Sequence, residues 1–220
     1  MTEDKINVST FNWGPCVIKL KITDEFKKLL LSEAKGNKLD FKTKLAGIIE
    51  KETGYSEESK MKVVPYMAQY LGIYDQMFEK FTAKKYDKKP EYIMTALWIN
   101  YQKANEFNPP HTHDGHLSFV LYTEIPQGLH KECHTAVANS PGPGCITFDF
   151  NLSGSNVNKF FLQTHSHLPS VGDLFIFPAG LPHWVYPFKT TEGERVSISG
   201  NVHLIDGDKT LTPKNDSKEK

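Results

Sequence analysis

Three histidines within six positions, His111, His113 and His116, follow the pair Pro109-Pro110 and precede the apolar run "LSFVLY". Two histidines spaced by two project their imidazoles to one side of an extended backbone, where both can close on a single ion. The spacing alone is common in a chain with nine histidines: His165 and His167 repeat it, and His130 and His134 stand four apart. Context separates the pairs. His111 and His113 lie between two strand-like runs, and His183 opens "HWVYPF" after the turn "PAGLP". Three ligands from two rims make a facial set with open positions, which suits catalysis better than a closed structural site. His165 and His167 precede a Gly-Asp turn and read as solvent or loop residues. His116, next to Leu117, is expected to point away from its neighbours and to pack or face water.

Arg195 is the second chemical signal. Of the 26 basic residues, 25 are lysine and this one is arginine. A surface charge is served equally by either, whereas a planar two-pronged donor is offered only by arginine. In "RVSISGNV", Arg195, Ser197, Ser199 and Asn201 fall on one strand face and Val196, Ile198 and Val202 on the other. A guanidinium beside the Ser197 hydroxyl forms a receptor for a carboxylate. The competing use of Arg195 is an ordinary salt bridge to Glu192 or Glu194.

These side chains need a scaffold. Residues 91 to 204 are rich in short β-branched and aromatic runs separated by Gly, Pro and Asn: "EYIMTALWINYQ", "LSFVLYTEI", "CITFDF", "DLFIFP", "HWVYPF" and "ERVSISGNVHL". Residues 1 to 90 read mainly as helix after a short strand at "PCVIKL", with helices at "TDEFKKLLLSEA", "FKTKLAGIIEKE" and "YMAQYLGIYDQMFEKF". The expected fold class is therefore α+β, mainly β with N-terminal helices: a jelly-roll or cupin-like double-stranded β-helix, with helices packed on one face. A single domain is expected over 1–204, with 1–90 as helical support, 91–204 as barrel core, and 205–220 as a flexible polar tail. The segment "GLHKECHTAVANSPGPG" reads as a long loop over the barrel mouth.

Composition narrows the partners. Lysine plus arginine and aspartate plus glutamate each number 26, so no global field attracts a polyanion or an anionic membrane. Cys16, Cys133 and Cys145 are odd in number, far apart and without a CxxC pair, which argues against a disulfide framework and for a reducing compartment. No apolar run approaches the roughly 18 residues of a membrane span. A cytoplasmic protein is expected, with no membrane partner and nucleic acid disfavoured.

Taken together, the motifs carry a resemblance. "W-x-N" at Trp98–Asn100, "H-x-H" at His111–His113, "S-x-x-x-Y" at Ser118–Tyr122, "G-D-L-x-x-F-P-x-x-L-x-H" at Gly172–His183 and "R-x-S-I-S-x-N" at Arg195–Asn201 stand in order along the chain. Residues 91 to 203 resemble the Fe(II)- and 2-oxoglutarate-dependent dioxygenases, in particular an oxygenase branch common in bacteria and phages. The resemblance implies Fe(II) as metal and 2-oxoglutarate as cosubstrate, with His111 and His183 as iron ligands. It implies that Arg195 and Ser197 grip the distal carboxylate of 2-oxoglutarate, with Asn100 and Tyr122 as further cosubstrate contacts. The reaction implied is hydroxylation of a substrate C–H bond with release of succinate and CO2. Prolyl or other peptide side chains would be the substrates, and more distantly nucleic acids or small molecules.

The second ligand departs from the commoner pattern, which has a carboxylate where this chain has His113. Asp114 is displaced by one residue, and on an extended strand that shift turns a side chain to the opposite face. Three arrangements follow: a His111, His113, His183 site; a bulged site using Asp114; or a site led by His113 with water or another anion at the Gly115 position. The first is favoured by the spacing from Asn100 and to His183. Two other functions stay open: a cupin-type three-histidine enzyme that does not use 2-oxoglutarate, which leaves Arg195 and Ser197 unexplained, and a non-catalytic binding barrel.

Overall fold

The run Leu117–Glu124, "LSFVLYTE", is apolar at nearly every position, and its first seven residues are buried. A strand reads this way only when both faces of its sheet are covered. In the computed structural model, which describes residues 14–36, 39–42, 45–86, 88–136, 142–150, 164–189, 193–205 and 212–213, both are. Strand β1 (Ile18–Lys21) leads into α1 (Asp24–Ala34); β2 (Leu39–Asp40) and β3 (Glu52–Gly54) precede α2 (Glu57–Thr82) and β4 (Lys84–Lys85). The strand-rich half follows: β5 (Tyr92–Gln102), β6 (Asn108–His111), β7 (Leu117–Glu124), the short helix α3 (Leu129–Thr135), β8 (Ile146–Asp149), β9 (Thr164–His167), β10 (Asp173–Pro178), β11 (His183–Val185), β12 (Arg195–Leu204) and β13 (Thr212–Pro213).

Seven strands form one antiparallel sheet in the order β1-β10-β7-β12-β5-β3-β2, and four form a second in the order β6-β11-β8-β9. Side-chain alternation divides the large sheet between two cores. Phe119, Leu121, Leu174, Ile176, Val196 and Ile198 pack with Phe26 and Leu30 of α1 and Val63, Met67 and Leu71 of α2. Their neighbours Val120, Tyr122, Phe175 and Phe177 face the small sheet and pack with Ile146, Phe148 and Val185. Each fully buried side chain of this size contributes about 1.5–3 kcal/mol, so the two cores fix the sheet against slippage by one residue, which would exchange their contents. The architecture is the mainly β, jelly-roll-like one expected from the sequence, with the helices on one face of the large sheet. No helix among the described residues is long and apolar enough to cross a membrane.

Local signals explain the helices. The Thr23 side chain caps α1 by accepting from the Phe26 N–H at 3.2 Å, and Ser56 caps α2 by accepting from the Ser59 N–H at 3.1 Å. Glu57 and Glu58 in the first turn complement the helix dipole, so α2 begins nine residues before Tyr66 despite Pro65.

Three expectations are corrected. The helix expected over "FKTKLAGIIEKE" does not form in its described part: Ile48 bridges Phe107, the Ile48 N–H donates to Phe107 O at 2.9 Å, and the chain enters β3 at Glu52. The apolar residues there satisfy an edge pairing, with Ile49 buried and Ile48 exposed, as an extended chain alternates. His165 and His167 sit on β9, paired with Phe148 and Ile146 of β8, rather than in a loop. The expected loop over the mouth holds α3; its residues 137–141 lie outside the described residues, as does most of the expected tail. The segment "NPPH", for which the sequence offered no assignment, pairs as β6, its two prolines tolerated because the strand is at the edge of the small sheet.

Candidate active site

The small sheet positions the histidines. His183 opens β11 directly opposite His111, the last residue of β6. The His113 backbone N–H donates to Ala179 O at 2.9 Å, tying the segment after β6 to the turn before β11. The ring centroids of His111 and His183 are 4.3 Å apart, those of His111 and His113 4.9 Å, and those of His113 and His183 5.0 Å. One ligand atom of each lies within 4.8 Å of the others. Residues 111 to 116 alternate between half-buried and exposed, so Asp114 faces solvent while His113 faces the cluster. No local bulge brings the Asp114 carboxylate inward.

Backbone carbonyls orient two of the rings. His111 Nδ1 lies 2.7 Å from Pro109 O and His183 Nδ1 lies 2.9 Å from Leu181 O. Assigning the proton to Nδ1 in each, so that it donates to the carbonyl, leaves the Nε2 lone pair free for a cation. Burial lowers all three imidazole pKa values, to about 4 for His113 and about 3 for His183, with mutual repulsion adding to the effect at those two. Neutral rings are the state that ligates a metal.

The large sheet supplies the remaining polar groups as one row. Tyr122 of β7, Ser197 of β12, Asn100 of β5 and Glu52 of β3 are successive cross-strand partners, so their side chains share the inner face. All four are buried. Arg195 is 1 % exposed, donates from one terminal nitrogen to Gly144 O at 3.0 Å, and stands 5.3 Å from the Tyr122 ring. It forms no ion pair with Glu194, and Glu192 lies outside the described residues. Burial lowers its pKa, which the neighbouring Tyr122 and Cys145 partly offset. Arg195 Nε, the Tyr122 hydroxyl and Asn100 Oδ1 have no hydrogen-bond partner, while Asn100 Nδ2 donates to Ser197 Oγ at 3.4 Å. A buried guanidinium without a carboxylate is costly, since folding removes its water and returns one hydrogen bond. An anionic ligand beside Arg195 and Tyr122 removes that cost. The donor set therefore fits a dicarboxylate, and the three imidazoles fit a divalent cation.

All seven residues picked from the sequence, His111, His113, His183, Arg195, Ser197, Asn100 and Tyr122, are thus on facing elements of one interior. His116 is apart from them, with Nδ1 accepting from the Leu204 N–H at 3.1 Å and the ring 5.5 Å from His203. His167 engages Asp173 at 3.2 Å, away from the cluster. Sequence reasoning missed Glu52, Gln102 opposite Arg195, and the Gly144 carbonyl. It also missed that Cys133 and Cys145 meet thiol to thiol at 3.7 Å. None of these carries a short-range motif; they become neighbours only through the sheet order.

Residues 96–201 match a family model described as "Putative 2OG-Fe(II) oxygenase". No curated protein sequence matches the chain. Among solved structures, the fold is similar to an oxidoreductase of the 2OG-Fe(II) oxygenase family from Burkholderia pseudomallei, with TM-score 0.54 and 10% identity over 90% of this chain and 87% of that one. It is similar also to the viral collagen prolyl hydroxylase of Paramecium Bursaria Chlorella virus-1, TM-score 0.50 and 15% identity over 84% and 94%. A Pseudomonas putida prolyl-4-hydroxylase gives TM-score 0.50 and 16% identity over 85% and 91%.

Proposed function

We propose that this chain, whose residues 96–201 match the 2OG-Fe(II) oxygenase family model, is an oxidoreductase using Fe(II), 2-oxoglutarate and O2 that hydroxylates a C–H bond of a prolyl or other peptide side chain. In this reading His111, His113 and His183 hold the iron, and Arg195 with Ser197, Asn100 and Tyr122 holds 2-oxoglutarate. The single observation that carries it is the convergence of three carbonyl-oriented or backbone-tethered imidazoles in a fold that also buries one guanidinium with no carboxylate partner among the described residues.

Bound Fe(II) and 2-oxoglutarate supply the oxidising chemistry: one oxygen atom of O2 goes to the substrate and the other to succinate, with CO2 released. The chain's own residues bind and orient. Arg195 and the Tyr122 hydroxyl, both buried and each with an unpartnered polar atom, would hold the distal carboxylate of the keto acid. Three neutral imidazoles leave the metal's double positive charge uncompensated by the protein, so the cosubstrate's carboxylate contributes more to holding it than in a site with an acidic ligand. Phe177 and Phe148 pack against the His183 ring, with centroids 4.8 and 6.0 Å away, and hold its orientation. The cleft beside His111 and His113, lined also by Trp98, Asn100, Asn108 and Glu52, is the candidate entry for the substrate group.

The test is succinate formation from 2-oxoglutarate with Fe(II) and ascorbate, followed by mass spectrometry of a peptide library for addition of one oxygen atom. Wild type forms succinate and His183→Ala does not. Absence of succinate in wild type, or equal formation by both proteins, contradicts the reading.

A further inference from the structure

The cleft beside the histidines has a chemical bias of its own. It is lined by Glu52, Asn100, Asn108, Trp98, His111 and His113 among others. Glu52 is 4 % exposed, and its Oε2 has no hydrogen-bond partner. Among the described residues it forms no ion pair; Lys42 acts on it only through its field, opposed by Glu106 and Asp40. Asn100 Oδ1 is a second buried acceptor without a donor. Gly47 packs against this corner: a Cβ there would collide with Asn108 Oδ1 and stand 2.9 Å from Glu52 Oε1, so only glycine fits beside those two oxygens. The cleft thus holds two buried acceptor oxygens, Glu52 Oε2 and Asn100 Oδ1, that no donor among the described residues satisfies. Glu52 is not one of the converging metal-ligand candidates, which are the three histidines alone among the described residues.

Resting on the oxygenase reading above, we propose that Glu52, with Asn108, selects a substrate side chain that ends in a protonated amine or guanidinium. Charge is segregated along the inner row: Arg195 lies beyond Ser197 at one end and Glu52 at the other, two strands away. A dicarboxylate is drawn to the first and repelled by the second; a cation is sorted the opposite way. An unpaired buried carboxyl gains most from a charged donor, because the ligand restores the partner that folding removed. A cation held there lays its aliphatic stem along His111 and His113, within reach of the oxidising centre.

The test uses the full chain without metal and four N-acetyl amino-acid methylamides, those of lysine, arginine, norleucine and proline, with affinities from ligand-observed NMR. The lysine and arginine compounds bind at least about tenfold more tightly than norleucine, the neutral isostere of lysine. Glu52→Gln erases the difference, and Asn108→Asp, which adds a second carboxylate, widens it. Thermal melting confirms that both variants fold. Equal binding of lysine and norleucine, a preference for proline, no binding of any of the four, or a lysine preference that survives Glu52→Gln overturns the proposal. Mn(II) and 2-oxoglutarate binding, measured separately on wild type, keeps the two readings apart. Absent cation preference with intact 2-oxoglutarate binding removes the selective pocket and leaves the oxygenase. Cation preference without 2-oxoglutarate binding overturns the substrate role assigned to the pocket.

Discussion

His111 and His183 are direct partners across the antiparallel pairing of β6 and β11, with ring centroids 4.3 Å apart. Partners in a sheet share a face, so the register that pairs these strands also brings the two imidazoles together. His183→Ala is expected to lower Mn(II) affinity, read by electron paramagnetic resonance, by at least about 100-fold, because two neutral ligands remain without a carboxylate. Asp114→Asn is expected to leave it unchanged, since Asp114 faces solvent. Loss of metal in Asp114→Asn would instead favour the bulged site.

Arg195→Lys is expected to weaken 2-oxoglutarate binding by about tenfold or more while Mn(II) binding stays intact. Lysine preserves the charge but not the fork that spans Gly144 O and a ligand carboxylate. Equilibrium titration of metal-loaded protein checks it. An unchanged affinity would place the carboxylate anchor elsewhere.

Much of this was legible in the sequence where the signal was local. Alternation in "RVSISGNV" put Arg195 and Ser197 on one face and Val196 and Ile198 on the other, and the structure keeps that division between two cores. The histidine spacing and the turn before His183 gave the cluster. The misreadings arose where a short apolar run fits either period: "LAGII" has helical spacing, but Ile48 and Ile49 instead serve opposite sides of an edge segment. Glu52 could not be picked out, because its importance comes from pairing with Asn100 across a connection that contains all of α2.

Glu52 gives the stability a pH dependence. Burial pushes its pKa up to about 7 from 4.5, with Lys42 opposing and Glu106 and Asp40 adding. The folded state therefore holds a proton that the unfolded chain has released between those values. Stability is lost as pH rises from about 4.5 to about 7, by roughly 2–3 kcal/mol at most, and is flat above. Melting of wild type against Glu52→Gln at pH 5 and pH 8 reads this directly. The variant gains on wild type at the higher pH, and parallel curves would show that the carboxyl is solvated.

Gly200 tests the fit of the large sheet. A Cβ there would stand 2.5 Å from Phe119 Cζ and 2.7 Å from Ala96 O, between β5 and β7. Gly200→Ala is expected to destabilise the fold by about 1–3 kcal/mol through overpacking, measured by urea unfolding. No change in midpoint would mean that Phe119 can move aside.

The most direct measurement is anaerobic addition of 2-oxoglutarate to the Fe(II)-loaded protein, followed by visible absorption. A charge-transfer band on chelation of the keto acid is predicted in wild type, with a weaker saturation affinity in Arg195→Lys and no band in His183→Ala. A wild-type protein without the band, or a His183→Ala protein that keeps it, would contradict an iron centre built from His111, His113 and His183.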